Sequence, residues 1–321
     1  MPGATQSHGR GNFRGRVLDN RLICPDHYRL RLLVEHFPPS SPGQFVNIQC
    51  ASVEGIVEPR QADWPDGRPP RLSQPELTSR QPLLRRPFSL AGRRDMASGS
   101  TELEVMHRVV GAGTAWLAQL TADAELSLLG PLGSGFTVSA QRPMAAVLGG
   151  GVGIPPMLYL VGALTAAGKE VVAFAGARTG RALPLASAGA EPPSPAARPT
   201  MCTAEFAEKG VATVVATDDG SLGFRGLVHE AFARWLAQRR PGPADLTVYA
   251  CGPEPMMKAV GDLCLGRGIE CQLALERYMA CGMGTCQSCV CKTRADGKPG
   301  WQFKLVCKDG PVFRAEELVW D

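Results

Sequence analysis

The sequence is poor in aromatic residues, at 6% Phe, Trp and Tyr, and it lacks an excess of either charge. With 34 basic and 30 acidic residues its formal net charge is +4, too small to indicate a nucleic-acid partner. The first residues have no apolar core of the length that a secretory signal requires, so we expect a cytoplasmic protein. The 321 residues, 44% of them hydrophobic, suffice for two or three domains with buried cores, which excludes a disordered chain.

Long hydrophobic runs are scarce too. One stretch, residues 145–168, stays free of charge for long enough to cross a bilayer. Four glycines between positions 149 and 153, followed by Pro155 and Pro156, interrupt this run. Such a break favours a strand, a tight loop and a buried helix over a transmembrane helix, so we expect no contact with a membrane.

Cysteine, by contrast, is abundant, with 11 residues. Six are scattered, mostly in apolar surroundings, where a cysteine usually behaves as a small buried hydrophobe: Cys24, Cys50, Cys202, Cys251, Cys264 and Cys271. The others crowd the C-terminal part of the chain: Cys281, Cys286, Cys289, Cys291 and Cys307. In a reducing compartment such a cluster indicates a bound metal rather than disulfides.

The hydrophobic pattern first predicts a β-rich domain. Residues 12–140 contain segments, such as 28–35 and 102–109, in which apolar and polar residues alternate with the period of antiparallel strands. Several such segments predict a small β-barrel. A Pro-, Arg- and Gln-rich insertion without periodicity interrupts it at residues 53–84.

Residues 141–268 instead alternate short apolar strands with helical stretches, such as the amphipathic segment 227–240. This alternation predicts a parallel sheet covered by helices, with a low-complexity loop at residues 181–200. Residues 269–321 return to short strands around the clustered cysteines and are predicted to form a third, small domain. The predicted fold class is therefore a β-barrel, a Rossmann-like α/β domain and a C-terminal metal domain.

The strongest chemical signal is a C-x4-C-x2-C spacing followed by one distant cysteine, formed by Cys281, Cys286, Cys289 and Cys307. This is the spacing of plant-type [2Fe–2S] centres, in which four thiolates surround two irons. Gly282 and Gly284 free the backbone to wrap such a cluster and to point N–H groups at its sulfurs. A four-cysteine zinc site is the alternative, although zinc sites usually pair two C-x2-C motifs. Cys291 is the residue most easily mistaken for a ligand.

Two glycine-containing segments lie where predicted strands lead into predicted helices: GGGVGIPP at 149–156 and YACGPEPMM at 249–257. Glycines at such a junction let a pyrophosphate approach the helix N-terminus, whose free N–H groups attract anions. Both segments would lie at the C-terminal edge of the sheet, where open α/β folds bind ligands. Glycine-rich turns also occur for packing reasons alone.

The predicted barrel carries the segment Arg86-Pro-Phe-Ser89. An arginine followed by a proline, an aromatic residue and a hydroxyl can hold a phosphate and face an aromatic ring. Taken alone, these four residues are an ordinary edge-strand sequence.

The chain resembles the ferredoxin-NADP reductase superfamily in the order of five motifs: RPFS, GAGT (111–114), GPLGSGF (130–136), GGGVGIPP and CGPEPM. It resembles more narrowly the electron-transfer subunits of NAD-dependent dihydroorotate dehydrogenase in two further motifs, ERYMACGMGTCQSC (276–289) and VCKDGPVF (306–313). The resemblance runs from about Val17 to Phe313 and lapses in the segments 53–84 and 181–200.

The resemblance implies three cofactors: FAD, a [2Fe–2S] cluster and NAD. Arg86 would hold the FAD pyrophosphate and Ser89 would lie near flavin N5, with further contacts from Pro87, Phe88, Met106, His107, Arg108, Gly113 and Thr114. NAD would be bound by Gly150, Gly151, Gly153, Cys251, Gly252 and Pro253. The cluster ligands would be the four cysteines at 281, 286, 289 and 307. For His107 a packed core histidine is an equally good interpretation.

One position departs from the usual NAD site. Rossmann-type sites place an acid after the second strand to bind the ribose, whereas this sequence has Ala175-Gly-Ala-Arg178 there. An arginine can accommodate a 2′-phosphate, so the sequence does not exclude NADPH. Since the superfamily that the chain resembles does not use that acid consistently, we expect NAD. The segment Asp218-Asp-Gly-Ser221 also resembles the family, although a plain turn after a strand explains it as well.

The resemblance implies an oxidoreductase subunit of pyrimidine biosynthesis. It would pass electrons from the FMN of a separate dihydroorotate dehydrogenase catalytic subunit, through the cluster and FAD, to NAD. A flavin suits the middle position because it exchanges hydride with NAD and single electrons with a cluster. We expect a heterotetramer with two copies of each subunit. Two alternatives stay open: a stand-alone NAD(P)H reductase that serves ferredoxin or another acceptor, and a zinc-stabilised nucleotide-binding module.

Overall fold

The computed structural model of this chain describes residues 9–51 and 84–320, so the predicted insertion 53–84 lies outside the described residues except for Leu84. The first part contains the short helix α1 (Ala112–Ala118) and six strands: β1 (Gly11–Cys24), β2 (His27–Glu35), β3 (Phe45–Ile48), β4 (Arg86–Asp95), β5 (Ser100–Arg108) and β6 (Glu125–Leu132). The strands are antiparallel and close into a barrel in the order β1-β2-β5-β4-β3-β6. The predicted barrel is confirmed.

Aliphatic side chains fill the barrel. Leu30, Leu32 and Val34 of β2 are fully buried, and they alternate with the half-buried Arg31 and Leu33. This alternation places every second residue in the core and leaves the other face of the strand for polar contacts. Because the interior is packed with side chains, ligands must bind outside the barrel, against its strands and loops.

The second part is a sheet with helices on both faces. It begins with β7 (Met144–Gly150), α2 (Ile154–Ala166), β8 (Glu170–Ala177), α3 (Ala204–Ala207), β9 (Ala212–Thr217) and β10 (Phe224–Arg225). It continues with α4 (Val228–Arg239), β11 (Leu246–Cys251), α5 (Glu254–Leu265) and β12 (Glu270–Ala274). The last elements are β13 (Val290–Arg294), β14 (Trp301–Leu305) and β15 (Val312–Arg314).

The seven-stranded sheet has the order β10-β9-β8-β7-β11-β12-β15, and only β15 runs antiparallel to its neighbour. The order reverses beside β7, which is the first strand of this part in the chain and lies between β8 and β11. Open α/β sheets bind ligands at such a reversal, outside the carboxyl ends of the strands. The predicted parallel sheet is confirmed, and its glycine motifs lie at this edge.

The uncharged run 145–168 folds as the sequence predicted. It forms β7, a short 3-10 turn at Gly151–Gly153, and α2, which has 13 residues. Eight of the α2 side chains are buried between the sheet and the barrel, which accounts for the lack of charge. Among the described residues, none of the helices combines the length and the apolar character that a membrane span needs.

The sheet extends into the region that the sequence assigned to the third domain. Both β12 and β15 belong to it, and between them the chain makes the cysteine loop and the antiparallel pair β13–β14. The chain leaves the sheet after Ala274 and returns at Val312, which pairs directly with Ala274. The predicted loop 181–200 is irregular, and isolated bridges at Ser187 and Thr200 attach it to the α/β part.

Polar contacts hold the barrel against the sheet. The Tyr159 hydroxyl on α2 donates to the Ser40 carbonyl oxygen at 2.7 Å. The Arg29 guanidinium on β2 donates to a carboxylate oxygen of Glu205 on α3 at 2.8 Å, and both side chains are only 11% exposed. Separating the two parts would take this partner away from the largely buried Glu205 carboxylate, so the pair opposes their separation. These contacts hold the barrel in one position relative to the sheet.

Candidate functional site

A cavity of about 580 Å³ opens between the barrel, the turn after β7 and the segment after β12. Its volume is in the range of sites for small organic ligands and cofactors. Because β4 and β5 are neighbours in the barrel, the two predicted flavin segments reach the cavity side by side. The cavity brings together every residue predicted to bind FAD: Arg86, Pro87, Phe88, Ser89, Met106, His107, Arg108, Gly113 and Thr114.

The predicted phosphate end of this cavity is built from Arg86 and the turn that begins α1. The Arg86 guanidinium donates to the Leu84 carbonyl oxygen at 2.8 Å, and its aliphatic stem packs against Gly113. A Cβ atom added to Gly113 would stand 3.3 Å from the Cys50 Cβ and 3.5 Å from the Arg86 Cγ. The Thr114 hydroxyl is held by its own turn, where it accepts the Val110 N–H at 2.9 Å. The absence of a side chain at Gly113 thus lets the turn approach the arginine.

Replacing Arg86 by alanine should weaken FAD binding. A charge-assisted hydrogen bond to a phosphate contributes about 1.5–3 kcal/mol, so we expect flavin to be lost on extensive dialysis. The flavin content per chain, measured by absorbance before and after dialysis, checks this. Arg94→Ala is the matched control, since Arg94 lies on the same strand but pairs with Glu102. Equal flavin retention in the two variants would remove Arg86 from the site.

His107 is at once a core residue and a wall of this cavity. It is 3% exposed, stacks on Tyr28 at a centroid distance of 5.6 Å, and meets the Phe88 ring edge at 6.0 Å. In the described part of the chain neither of its ring nitrogens has a hydrogen-bond partner. Burial, together with the charge of His27, lowers the pKa of His107 to about 4. The side chain is therefore a neutral imidazole at physiological pH. It is a packed core histidine, and its contact with a flavin stays a prediction.

This low pKa predicts an acid-sensitive fold. Since the pKa of His107 falls from 6.5 in the unfolded chain to about 4 in the folded one, only the unfolded chain takes up this proton between those values. The contribution of His107 to the free energy of unfolding is present above pH 6.5 and is lost as the pH falls towards 4. Between pH 7 and pH 5 the loss is about 2 kcal/mol. Urea unfolding at both pH values should show this loss of free energy in the wild type. In His107→Phe the difference between the two pH values should be about 2 kcal/mol smaller. An identical loss in both would contradict the argument.

A second cavity, of about 650 Å³, lies along the carboxyl edge of the sheet and shares Arg108 and Val152 with the first. Of the residues predicted to bind NAD, Gly150, Gly151 and Pro253 line this second cavity. Gly153 and Cys251 line the first cavity, the predicted flavin cavity, instead. Gly252 lies against Gly150: a Cβ atom added to Gly252 would stand 3.2 Å from the Gly150 amide nitrogen. The predicted NAD residues thus fall at the boundary between two connected cavities.

Two close contacts join the glycine segments. A Cβ atom on Gly153 would stand 2.2 Å from the Cys251 carbonyl oxygen, and one on Gly150 would stand 2.5 Å from the Met256 sulfur. Only glycine lets the ends of β7 and β11 come this close. Burial, with a smaller contribution from the nearby Glu276, raises the pKa of the Cys251 thiol to about 12, so it stays protonated. The two glycine segments are therefore closely packed, and the thiol that Cys251 contributes to the flavin cavity is neutral.

Sequence reasoning missed several lining residues. Glu276, Arg277 and Tyr278 line the flavin cavity, although the sequence analysis used their motif only to identify the cysteine domain. Burial raises the pKa of Glu276. Arg181 and His229 line the second cavity. The place of residues 276–278 just before the cysteine motif could have indicated their role. Arg181 lies in a low-complexity segment, and nothing in the sequence there indicates a ligand-binding role.

The candidate metal ligands stand as two pairs. The Cys286 N–H donates to the Cys281 sulfur at 3.4 Å, and the Cys307 N–H donates to the Cys289 sulfur at 3.4 Å. A centre with two irons and four thiolate ligands suits such an arrangement, and backbone N–H groups aimed at sulfur stabilise its negative charge. Within residues 9–51 and 84–320, no three His, Cys, Asp or Glu side chains are grouped as ligands of one metal ion.

The loop that carries these cysteines is shaped as a cradle. Gly282 has φ +70° and Gly284 has φ +94°, conformations that favour glycine. A Cβ on Gly282 would stand 2.1 Å from the Asn47 amide nitrogen, which donates to the Cys281 carbonyl oxygen at 2.9 Å. Asn47 is fully buried on β3, so the barrel itself holds the cysteine loop in place. No sequence pattern indicates this role, because Asn47 and Cys281 are 234 residues apart in the chain.

The thiols differ in how easily they ionise. A hydrogen bond with the Ser288 hydroxyl, followed by backbone contacts, lowers the pKa of Cys286 to about 6. Burial and the neighbouring Cys289 raise the pKa of Cys307 to about 12. Cys291 lies on β13, opposite Lys304, where burial raises its pKa to about 11. The four thiols, the inward N–H groups and the glycine cradle fit an iron–sulfur cluster, and Cys291 stands apart from both pairs.

Two family models match parts of the chain. Residues 276–319 match the iron–sulfur cluster binding domain of dihydroorotate dehydrogenase B. Residues 147–262 match the oxidoreductase NAD-binding domain. The first match spans the paired cysteines, and the second spans both glycine segments and the part of the second cavity that the α/β domain contributes.

Curated relatives match nearly the whole chain. The dihydroorotate dehydrogenase B (NAD(+)) electron transfer subunit of Geobacillus thermodenitrificans is 35% identical, over 96% of this chain and 99% of its own. The subunit of the same name from Desulforamulus reducens is 29% identical, over 96% of this chain and 98% of its own.

Solved structures share the fold. A structure of an NADH-dependent reduced ferredoxin-NADP oxidoreductase, described in connection with flavin-based electron bifurcation, aligns with a TM-score of 0.68 at 24% identity. It covers 100% of this chain and 92% of the other. A ferredoxin reductase of carbazole 1,9a-dioxygenase aligns with a TM-score of 0.56 at 21% identity, over 81% of this chain and 67% of its own.

Proposed function

Since this chain belongs to the family of the electron transfer subunits of NAD-dependent dihydroorotate dehydrogenase B, we propose that it carries electrons between that enzyme's catalytic subunit and NAD. The family resemblance expected from the sequence is confirmed, and so are the ferredoxin-reductase-like fold and the oxidoreductase class. The stand-alone reductase and the zinc module are the alternatives that the experiment below must separate from this function.

The continuity of the three candidate sites is the observation that carries the proposal. The two cavities meet at Arg108 and Val152. The flavin cavity continues along Glu276 and Met279, and Cys281 follows two residues later. A dinucleotide, a flavin and a cluster bound in these places would be neighbours in that order, as a chain of electron carriers requires.

We therefore assign one group to each site. Arg86 would hold the FAD pyrophosphate, Ser89 and the 106–108 segment would face the ring, and the 149–156 turn would receive the dinucleotide pyrophosphate. The paired cysteines would hold the cluster. When bound, the flavin exchanges hydride with NAD and single electrons with the cluster. The protein's own part is to hold these groups in contact and to keep the Cys251 thiol and the His107 ring neutral beside them.

The finer points of assembly belong to the same proposal. We place the FMN and the chemistry of dihydroorotate on the separate catalytic subunit. We propose two copies of each subunit in the complex and a cytoplasmic location, where pyrimidine biosynthesis would use it. The free thiols of all eleven cysteines agree with a reducing compartment.

An anaerobic titration with NADH tests the function. In the holoprotein, NADH should bleach the flavin absorption and then produce the spin-resonance signal of a reduced [2Fe–2S] centre. Adding the catalytic subunit and orotate should oxidise both groups again, and the two subunits should elute together from a sizing column. Separate elution with normal reduction by NADH would favour a stand-alone reductase. A colourless protein that contains zinc would contradict the function altogether.

A further inference from the structure

The loop that carries the first candidate cluster ligand is fastened to the barrel by one buried amide. Asn47 is 0% exposed, and the other three residues of its strand β3 are apolar. The Asn47 amide nitrogen donates to the Cys281 carbonyl oxygen at 2.9 Å. A polar side chain in an otherwise apolar strand thus contacts the backbone of a candidate ligand.

The stability of the barrel does not explain this amide. Within the described part of the chain, the Asn47 Oδ1 atom is buried and has no hydrogen-bond partner. A buried amide oxygen without a partner lowers the free energy of unfolding. What the side chain provides is its contact with the cysteine loop, where a Cβ atom on Gly282 would stand 2.1 Å from the Asn47 amide nitrogen. The amide therefore fixes the peptide between Cys281 and Gly282.

That peptide controls which groups reach the Cys281 sulfur. The Met283 N–H and the Cys286 N–H each donate to this sulfur at 3.4 Å. They reach it because the chain turns back at Gly282, where φ is +70°. A reduced iron–sulfur cluster carries one more negative charge than the oxidised cluster, so N–H groups aimed at its sulfurs stabilise the reduced form more. Holding the turn in place therefore favours reduction.

The backbone of Asn47 is held in turn beside the predicted flavin residues. Strand β3 pairs with β4, and Asn47 lies opposite Pro87 of the RPFS segment. The Arg85 guanidinium donates to the Asn47 carbonyl oxygen at 3.4 Å and to the Ser127 carbonyl oxygen at 3.0 Å. Asn47 thus connects the strand of the flavin cavity to the cysteine loop.

We propose that Asn47 is a positioning residue for the cluster. Its amide fixes the turn in which two backbone N–H groups reach the Cys281 sulfur, and it thereby raises the reduction potential of the cluster. It acts through the peptide between Cys281 and Gly282 and is not itself a ligand. The inference rests on the proposed function only for the presence of the cluster.

A reductive titration of the holoprotein with dithionite and redox mediators tests this without NADH and without turnover. The spin-resonance signal of the reduced cluster measures the extent of reduction at each potential. In Asn47→Ala the equilibrium constant for reduction should fall about three- to tenfold, as expected when N–H···S hydrogen bonds are weakened. A tenfold fall corresponds to a potential about 59 mV lower for one electron. The shape of the signal should change as well, because it depends on the surroundings of the thiolates.

Val46→Ala is the matched control. Val46 precedes Asn47 on β3 and is fully buried in the apolar core of the barrel, so this truncation should lower the melting temperature. The potential and the signal of its cluster should equal those of the wild type. Gly282→Ala breaks the Asn47 contact from the loop side and should also lower the potential. It decides the question if Asn47→Ala does not fold.

The outcomes separate this inference from the proposed function. A wild-type potential in Asn47→Ala would overturn the inference, and so would an equal fall in Val46→Ala, which would trace the effect to the stability of the barrel. Both results leave the proposed function standing. If the wild-type holoprotein contains no iron and no inorganic sulfide, the proposed function is wrong, and the inference with it.

Discussion

Replacing Cys286 by serine should remove the visible absorption of the iron–sulfur centre and leave the flavin bound. Cys286 is exposed and its pKa of about 6 marks a thiol that is already ionised near neutral pH, which is the form that binds iron. A serine hydroxyl does not ionise there, so the centre would lose one of four ligands. Electron transfer from NADH to the catalytic subunit should fall on the order of 100-fold or more. Bleaching of the flavin by NADH should continue, because the flavin cavity is built from other residues.

Cys291→Ala is the control for this variant. Cys291 is buried on β13, outside the two cysteine pairs, and its replacement removes only a small apolar group. Iron content, inorganic sulfide and the absorption spectrum should match those of the wild type. If Cys291→Ala lost the centre while Cys286→Ser kept it, Cys286 would leave the ligand set and Cys291 would take its place.

A second large effect should follow from adding one methyl group to Gly153. The new Cβ would stand 2.2 Å from the Cys251 carbonyl oxygen, and the atoms around that oxygen are backbone, which no rotamer change can move aside. The ends of β7 and β11 would have to separate, at a cost of about 1–3 kcal/mol or more. Gly153→Ala should therefore lower the melting temperature by about 5 °C or more. NADH should also bind at least about tenfold more weakly, because the separation opens the cavity wall.

Gly162→Ala provides the matched comparison. Gly162 lies in the middle of α2, nine residues further along, and the nearest atom to its added Cβ is the Lys209 nitrogen at 4.0 Å. Alanine is a better helix former than glycine, so this change should raise stability by about 0.5–1 kcal/mol. Thermal unfolding and NADH titration of both variants check the pair of predictions. A Gly153→Ala protein as stable as the wild type would mean that the two segments do not touch.

The architecture was predictable because it rests on local signals. Period-two alternation, as in 28–35, indicates a strand regardless of its partners, and alternating strands and helices indicate a parallel sheet. The allocation of β12 and β15 was not predictable in this way. Both are short strands next to the cysteine loop in sequence, and only their pairing with β11 and with each other places them in the large sheet.

The residues of the candidate site likewise fall into those that a local sequence motif reveals and those that only the fold reveals. The cysteine spacing, the glycine turns and the RPFS segment carry their chemistry within a few consecutive residues, so the sequence revealed them. Asn47 acts through its hydrogen bond to Cys281, and only the fold brings Arg181 and His229 to the second cavity, so no local pattern marks these three residues. The residue roles assigned to FAD and NAD stay predictions until the ligands are bound and measured.

The direct pairing of Ala274 with Val312 has a consequence for how this protein is assembled. The cysteine-bearing excursion leaves the sheet at Ala274 and returns at its neighbour Val312, so the order of the other strands does not depend on it. The same excursion carries Glu276, Arg277 and Tyr278 into the wall of the flavin cavity. A change that displaces it should therefore disturb the flavin cavity while the strand order of the sheet stays intact.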